Sequence, residues 1–390
     1  MNWFREAGVG MFIHWGVYSA LGCGEWVMHQ EQMPLEEYDR HIPEFRAESY
    51  DPDGWAKLAK AAGMRYMVLT TKHHDGFCLF NTSTTTRNAV AQGPGRDLVA
   101  DYAAACRRNG LKVGLYFSLP DWTFPAFFNG RDDDPEGWAA FLRVVHKQVE
   151  ELCSNYGKID LLWYDNILNQ SGKRGLTAED YRSVELNAMA RRLQPEMLIN
   201  DRSCLPEDFY TAEQHARPPE DPDRAWEACL TMNKHWGYFP ADALYKPAKE
   251  IVHTLTGVAL SRGNMLLNVG PKPDGSIGAP ERERLAALGQ WLAVHREAVE
   301  GVSGCPVNGG TYGCAARKGD NVYLYVHWWH GPELTIADCA LDFRSGLILG
   351  TGQAVTVRRD GKHVKLLDLP ATAPDPLCPV IKLTLGGTSS

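Results

Sequence analysis

Over the first three quarters of the chain, apolar runs of strand length alternate with longer amphipathic stretches. That is the pattern of repeated strand–helix units around a parallel sheet. Eight strand-like runs fall at 9–15, 64–72, 112–118, 160–165, 197–202, 208–214, 225–232 and 264–270. Eight is the number that closes a (β/α)8 barrel of the TIM type. Between the runs, Trp55, Leu58, Ala59 and Ala62 recur at helical spacing behind Asp51, and Phe141, Val145, Val149 and Leu152 do so over a longer segment. Further helical stretches lie at 97–108, 178–193, 248–261 and 280–294. Gly110, Gly157 and Gly263 each follow one of these patterns, where a left-handed cap residue is wanted.

Beyond about Gly301 the helical period stops. Short β-rich runs such as 322–329 and 380–385 are separated by Gly, Asp and Pro, which predicts a small antiparallel sandwich. The expected organisation is therefore α/β, a (β/α)8-like barrel over 1–300 followed by a C-terminal antiparallel β-sandwich over 301–390. A chain of 390 residues is long enough for both.

Composition narrows the function classes. Hydrophobic content of 44% and charged content of 23% are those of a globular protein, and a net charge of -8 argues against a surface for phosphate backbones. Nucleic acid is not an expected partner. No stretch approaches the uncharged apolar length of a membrane span, so no membrane association is expected. The opening Met1-Asn2-Trp3-Phe4-Arg5-Glu6 lacks the basic then apolar pattern of a signal peptide, which predicts a cytoplasmic location. Ten cysteines are scattered with no C-x-x-C pair and no tight cluster of zinc-site spacing, and they read as free thiols. A homo-oligomer is left open.

The ends of the strand-like runs carry the chemistry. The run from Ile159 closes on Trp163, Tyr164 and Asp165, the profile of a buried strand emerging at a site. Alone, such an aspartate could equally cap a helix or bind a loop amide. Its neighbours decide otherwise. The first strand ends Phe12-Ile13-His14-Trp15, the second Lys72-His73-His74-Asp75, the third gives Tyr116 and Ser118, the fifth Asn200-Asp201-Arg202 and the sixth Thr211-Ala212-Glu213. Glu25-Trp26 follows the first strand. Such recurrence at the C-terminal rim is hard to explain by packing and points to an active site.

Flat aromatic faces beside His, Arg, Glu and Asn suit a ligand with C–H patches and several hydroxyls, which is a sugar. Two separated carboxylates suit glycoside hydrolysis. Asp165 and Glu213 are the expected catalytic pair. Glu213, after a small Thr-Ala step, is expected to be partly desolvated and so held protonated as a general acid; its alternative is an ion pair with a barrel arginine. Glu25 is a rival carboxylate and Glu227 a weaker one. His73-His74 invites a metal reading, but adjacent strand residues point to opposite faces, so both would ligate only at an irregular strand end. Hydroxyl recognition is preferred, with no metal or cofactor expected. The loop 270–275 reads as a tight turn, because it lacks the Lys-Ser/Thr ending of a phosphate cradle.

At these residues the chain resembles the alpha-L-fucosidases of glycoside hydrolase family 29. The resemblance runs nearly end to end: Gly10-Met11-Phe12-Ile13-His14-Trp15-Gly16, Gly24-Glu25-Trp26, Lys72-His73-His74-Asp75-Gly76-Phe77, Leu162-Trp163-Tyr164-Asp165, Asn200-Asp201-Arg202, and 263–271. It implies a (β/α)8-like barrel followed by a β-sandwich. It also implies a retaining reaction through a covalent fucosyl-enzyme, with Asp165 as nucleophile. The acid/base of one branch of the family falls on Glu213. The family's sugar ligands fall on His14, Glu25, Trp26, His73, His74, Tyr116, Trp163 and Arg202. Phe12 and Trp236 match the apolar wall around the fucose C5 methyl. Asn166 stands where many members carry a small or apolar residue. The implied substrate is a fucosylated oligosaccharide or glycoconjugate. An alpha-L-galactosidase or related deoxyhexosidase on the same scaffold, and a non-catalytic fucose-binding protein, are the alternatives.

Overall fold

The computed structural model describes residues 1–166, 176–307 and 310–386. Residues 167–175, which follow Asn166, lie outside the described residues. Strands β1 (Val9–Ile13), β2 (Tyr66–Lys72), β3 (Lys112–Ser118), β4 (Leu161–Asp165), β5 (Leu198–Ile199), β6 (Tyr210–Glu213), β7 (Trp226–Leu230) and β8 (Asn264–Val269) form one sheet. Every pair in it is parallel, in the order β5-β4-β3-β2-β1-β8-β7-β6. The sheet curls into a barrel whose end strands meet at one parallel bridge, Asn200 with Phe209.

That open seam has a local cause. The run predicted at 197–202 leaves the ladder with β4 after Ile199, because the side chain of Asn200 takes over the backbone's role there. Its amide accepts from Tyr164 N at 2.9 Å and donates to Tyr164 O at 2.8 Å, and the chain then turns into a short 3-10 helix, Asp201–Ser203. Arg202 is thereby lifted to the rim.

Of the three expected glycine caps, Gly110 (φ 70°) and Gly157 (φ 68°) are left-handed and Gly263 is not. Arg262 takes that conformation instead (φ 58°). Gly263 is required for another reason, since a Cβ there would lie 2.3 Å from the Trp226 ring. The helical stretch expected at 178–193 is broken at Arg182, φ 52°, into Ala178–Tyr181 and Ser183–Leu193.

The two-residue period of the strands sorts their side chains into two cores. Phe12, Tyr66, Val68, Tyr116, Leu161, Trp163, Phe209 and Leu266 face the lumen, floored by Phe4. Their sequence neighbours Met11, Ile13, Met67, Leu69, Leu115, Phe117, Leu162 and Tyr164 face outward against the helices. The same alternation that packs the barrel therefore carries the lumen rows upward into His14, Ser118 and Asp165.

After the helix Ala279–His295, strands β9 (Ser303–Gly304), β10 (Gly313–Lys318), β11 (Asn321–Val326), β12 (Leu334–Ile336), β13 (Phe343–Ile348), β14 (Ala354–Asp360), β15 (His363–Leu367) and β16 (Val380–Leu385) pair antiparallel. Along β11, Val322, Leu324 and Val326 enter a core of the sheet's own, while Tyr323 and Tyr325 join the barrel core with Ala316 and Val380. Burying side chains of this size contributes roughly 1.5–3 kcal/mol each, against about 0–1 kcal/mol for an exposed ion pair such as Lys382 with Glu297. Apolar contact is what docks the sheet on the barrel.

Candidate active site

Asp165 ends β4 with its carboxylate at the top of the lumen. Tyr116 donates its hydroxyl to Oδ2 at 2.8 Å, His74 Nε2 stands 3.5 Å from the same oxygen, and Oδ1 accepts from Asn166 N at 2.9 Å and from Arg202 Nη1 at 3.3 Å. Burial pushes the Asp165 carboxyl above its ordinary range, opposed first by Arg202, then by the Tyr116 and Asn166 hydrogen bonds. The other end of the same guanidinium donates from Nη2 to Glu213 Oε2 at 2.7 Å. One arginine thus spans the two expected catalytic carboxylates. It also lies over the Trp163 ring, 5.5 Å from its centroid.

Both histidines of the 73–74 pair reach the site because β2 is irregular there. Its pairing with β3 shifts register between Thr70 and Lys72, and such a shift re-aims the residues that follow. His73 and His74 are both buried with ring centroids 4.2 Å apart; His73 stacks on Tyr116, and His74 Nδ1 is held 2.6 Å from Ser118 Oγ. His14 Nδ1 is 2.7 Å from Asn268 Oδ1. Burial drives His14 and His74 down to about 3 and His73 well below its ordinary value, so all three are neutral at neutral pH and each offers a donor and an acceptor. His73 Nδ1 is buried with no hydrogen-bond partner among the described residues. His73, His74 and Asp165 also bring donor atoms within 4.8 Å of one another, as a metal site would. With the Arg202 cation already on Asp165, that trio is better suited to a polyhydroxylated neutral ligand.

The remaining expected contacts converge as well. Glu25 is buried and accepts on Oε2 from Trp236 N (3.1 Å) and Gly237 N (2.8 Å), and Asn268 Nδ2 donates to Trp236 O at 2.7 Å. Those bonds set Trp236 against Phe12 (5.7 Å between centroids) and His14 (5.0 Å), forming the apolar wall. Trp26 meets His74 edge-on at 5.4 Å.

One expectation needs correction. Glu213 is not desolvated: its side chain is 43% exposed and ion-paired with Arg202, because Gln214 adopts a left-handed turn (φ 57°) that takes the chain out of the sheet at the rim. The burial expected there is found at Glu25, whose carboxyl desolvation pushes up against the amide hydrogen bonds of Gly237 and Trp236. Asn166 is buried, accepting from Tyr181 Oη at 3.0 Å and donating toward Cys204 Sγ at 3.1 Å. The residues that sequence reasoning missed are Asn268 and Trp122, the latter packed 5.3 Å from Trp26 and 5.2 Å from His74. An asparagine inside the apolar run of β8 was the available signal for the first.

Glu227 belongs to the floor. It is fully buried beneath the site, accepting from Trp163 Nε1 at 3.0 Å and from Tyr66 Oη, and burial pushes it up to about 7. A carboxyl raised on folding contributes stability below its unfolded value that is lost as pH rises through the folded one, here between about 4.5 and 7. Glu227→Gln keeps a group of the same shape without the charge. Thermal unfolding from pH 5 to 8 should show a smaller loss in the variant, by on the order of 3 kcal/mol at most. Some decline remains, since Asp75 (about 6) and Glu281 (about 7) are raised by burial too. Parallel profiles for the two proteins would contradict the assignment.

A family model described as Alpha-L-fucosidase matches residues 1–297. The chain is 34% identical over 328 residues to the tissue alpha-L-fucosidase of Mus musculus, covering 76% of this chain and 71% of the relative. It is 33% identical over 394 residues to that of Macaca fascicularis, covering 92% and 81%. Among solved structures, alpha-L-fucosidase isoenzyme 1 from Paenibacillus thiaminolyticus superposes with a TM-score of 0.89 at 34% identity over 98% of each chain. The Thermotoga maritima alpha-fucosidase does so with 0.82 at 31% identity, over 98% of this chain and 96% of its own. Barrel and appended antiparallel sheet thus recur together in these enzymes, and the chain belongs to the alpha-L-fucosidase family, glycoside hydrolase family 29.

Proposed function

We propose that this chain is a retaining, exo-acting alpha-L-fucosidase that removes terminal alpha-L-fucose by double displacement, with Asp165 as nucleophile and Glu213 as acid/base. The observation that carries the reading is the shared guanidinium: Arg202 holds Asp165 on one arm and Glu213 on the other. Two carboxyl groups flanking one guanidinium are compatible with the spacing of about 5–5.5 Å of retaining pairs, which leaves no room for a water between nucleophile and sugar. A fucosidase from Bacteroides thetaiotaomicron, 25% identical, has been captured as a trapped covalent intermediate with 2-fluoro-fucosyl fluoride.

In this reading Asp165 attacks the anomeric carbon while Tyr116 and Arg202 steady the carboxylate and Glu213 protonates the departing oxygen. Glu213 then takes a proton from the water that releases fucose. A sugar filling the mouth would shield Glu213 from solvent, supplying the desolvation that the empty rim lacks. The neutral imidazoles of His14, His73 and His74, with Glu25, would bind the ring hydroxyls, and the unpaired His73 Nδ1 would gain a partner. The fucose methyl packs against Phe12 and Trp236; a hydroxymethyl would bury an unpaired hydroxyl there.

An aryl glycoside panel tests this. Nitrophenyl alpha-L-fucoside should be cleaved with kcat/KM at least about tenfold above the alpha-L-galactoside, and chelator should leave the rate unchanged. Preference for the galactoside would favour the alternative hexosidase.

A further inference from the structure

A second set of chemically active side chains lies away from the lumen, where the barrel helix Ala248–Leu260 meets the C-terminal sheet. His253 comes from the helix, Cys314 from β10, His327 from the residue after β11's end, and Cys378 from the turn before β16. We propose that these four side chains form a site for a zinc-class divalent cation that ties the barrel to the sheet.

Three observations carry it. The first is convergence: His253, His327 and Cys378 each bring a donor atom within 4.8 Å of the other two, and Cys314 Sγ lies 3.9 Å from His327 Nε2. A tetrahedral zinc with bonds of about 2.0–2.3 Å holds its donors about 3.3–3.8 Å apart, so the donors of His253, His327 and Cys378 need to draw in by up to about 1 Å. Two nitrogens and two sulfurs are a donor set that selects zinc over magnesium or calcium.

The second is orientation. His253 Nε2 is 3.1 Å from Leu377 O, where only an N–H fits, which leaves Nδ1 as the lone-pair nitrogen; metal-binding histidines are commonly fixed by a carbonyl in this way. The two imidazoles stack 3.9 Å apart and 12° from parallel, so one ring turns about its Cβ–Cγ bond to aim both in-plane lone pairs at one ion. Thr256 donates its hydroxyl to His253 O at 2.8 Å and so accepts from His327 Nε2 at 3.0 Å, which leaves Nδ1 as the lone-pair nitrogen of His327. Cys378 is held by Asp375 Oδ1, which accepts from Leu377 N and Cys378 N, and by Trp291 Nε1 on Cys378 O.

The third is availability. All ten cysteines are free, so neither thiol is committed to a disulfide. Binding is then an exchange without redox change: one divalent cation replaces two thiol protons, which leave to the buffer.

The test uses reduced full-length protein, with cobalt as the optical probe and zinc as competitor. Cobalt should give a sulfur-to-metal charge-transfer band and tetrahedral visible bands, saturating at about one ion per chain with release of about two protons. Zinc should displace it and raise the thermal midpoint. The double variant Cys314→Ser, Cys378→Ser should lose the band and the thermal shift, and His253→Gln alone, which spares the sheet, should weaken cobalt binding at least about tenfold. Absence of the band in the wild type, or an unchanged band and thermal shift in the double variant, would overturn the proposal. Aryl fucoside hydrolysis below the unfolding range serves as an independent readout of the lumen site.

Discussion

Asp165→Ala should lose roughly three to five orders of magnitude in turnover on an aryl alpha-L-fucoside, with part of the loss restored by azide. The size follows from what the residue does: without it there is no group to share the anomeric charge or to form the first covalent bond. The fold should survive the change. Arg202 keeps its bond to Glu213, and the carboxylate stands at the rim rather than among the packed lumen side chains. Azide fits the space vacated and attacks from the same face, so the rescued product is the azide of opposite anomeric configuration. Turnover near the wild-type rate would remove Asp165 from the nucleophile's role. A full loss with no azide product, in a variant whose unfolding transition is unchanged, would count against attack from that face.

Glu213→Ala should separate substrates by their leaving groups. On fucosides with sugar or alkyl aglycones, whose departing oxygen needs a proton, the loss should be roughly 10²–10⁴-fold. On activated nitrophenyl fucosides the first step should slow far less. This prediction discriminates between two carboxylates with different credentials: Glu213 shares the nucleophile's arginine but is exposed, whereas Glu25 has the burial an acid needs but is tied by two backbone amides of the loop that carries Trp236. Equal losses on both substrate types would take the acid role from Glu213, and Glu25→Gln would then be expected to show the leaving-group dependence instead.

The elements and the ligand class were legible in the sequence because they rest on periodicity. A two-residue alternation places Phe12 with His14, Tyr116 with Ser118, and Trp163 with Asp165 on one face, and a parallel barrel has only one face for polar side chains to share. What was not legible depends on single side chains acting across the fold. The amide of Asn200 ends β5 by mimicking backbone, and the register shift before Lys72 turns two adjacent histidines into the same site. The left-handed Gln214 carries Glu213 out to solvent, which no local composition announces. Gly263 follows a helix as a cap glycine would, but it makes room for Trp226 while Arg262 takes the left-handed conformation. His253, Cys314, His327 and Cys378 are separated by 13 to 61 residues along the chain, so no ligand spacing could join them before the sheet docks on the helix.

Covalent capture tests the central claim most directly. Incubation with 2-fluoro-fucosyl fluoride, followed by proteolysis and mass spectrometry, should place one fluorofucosyl group on the peptide containing Asp165, with label and inactivation rising together. Stoichiometric label on another carboxylate, or hydrolysis of the reagent with no covalent species at all, would contradict a retaining mechanism through Asp165.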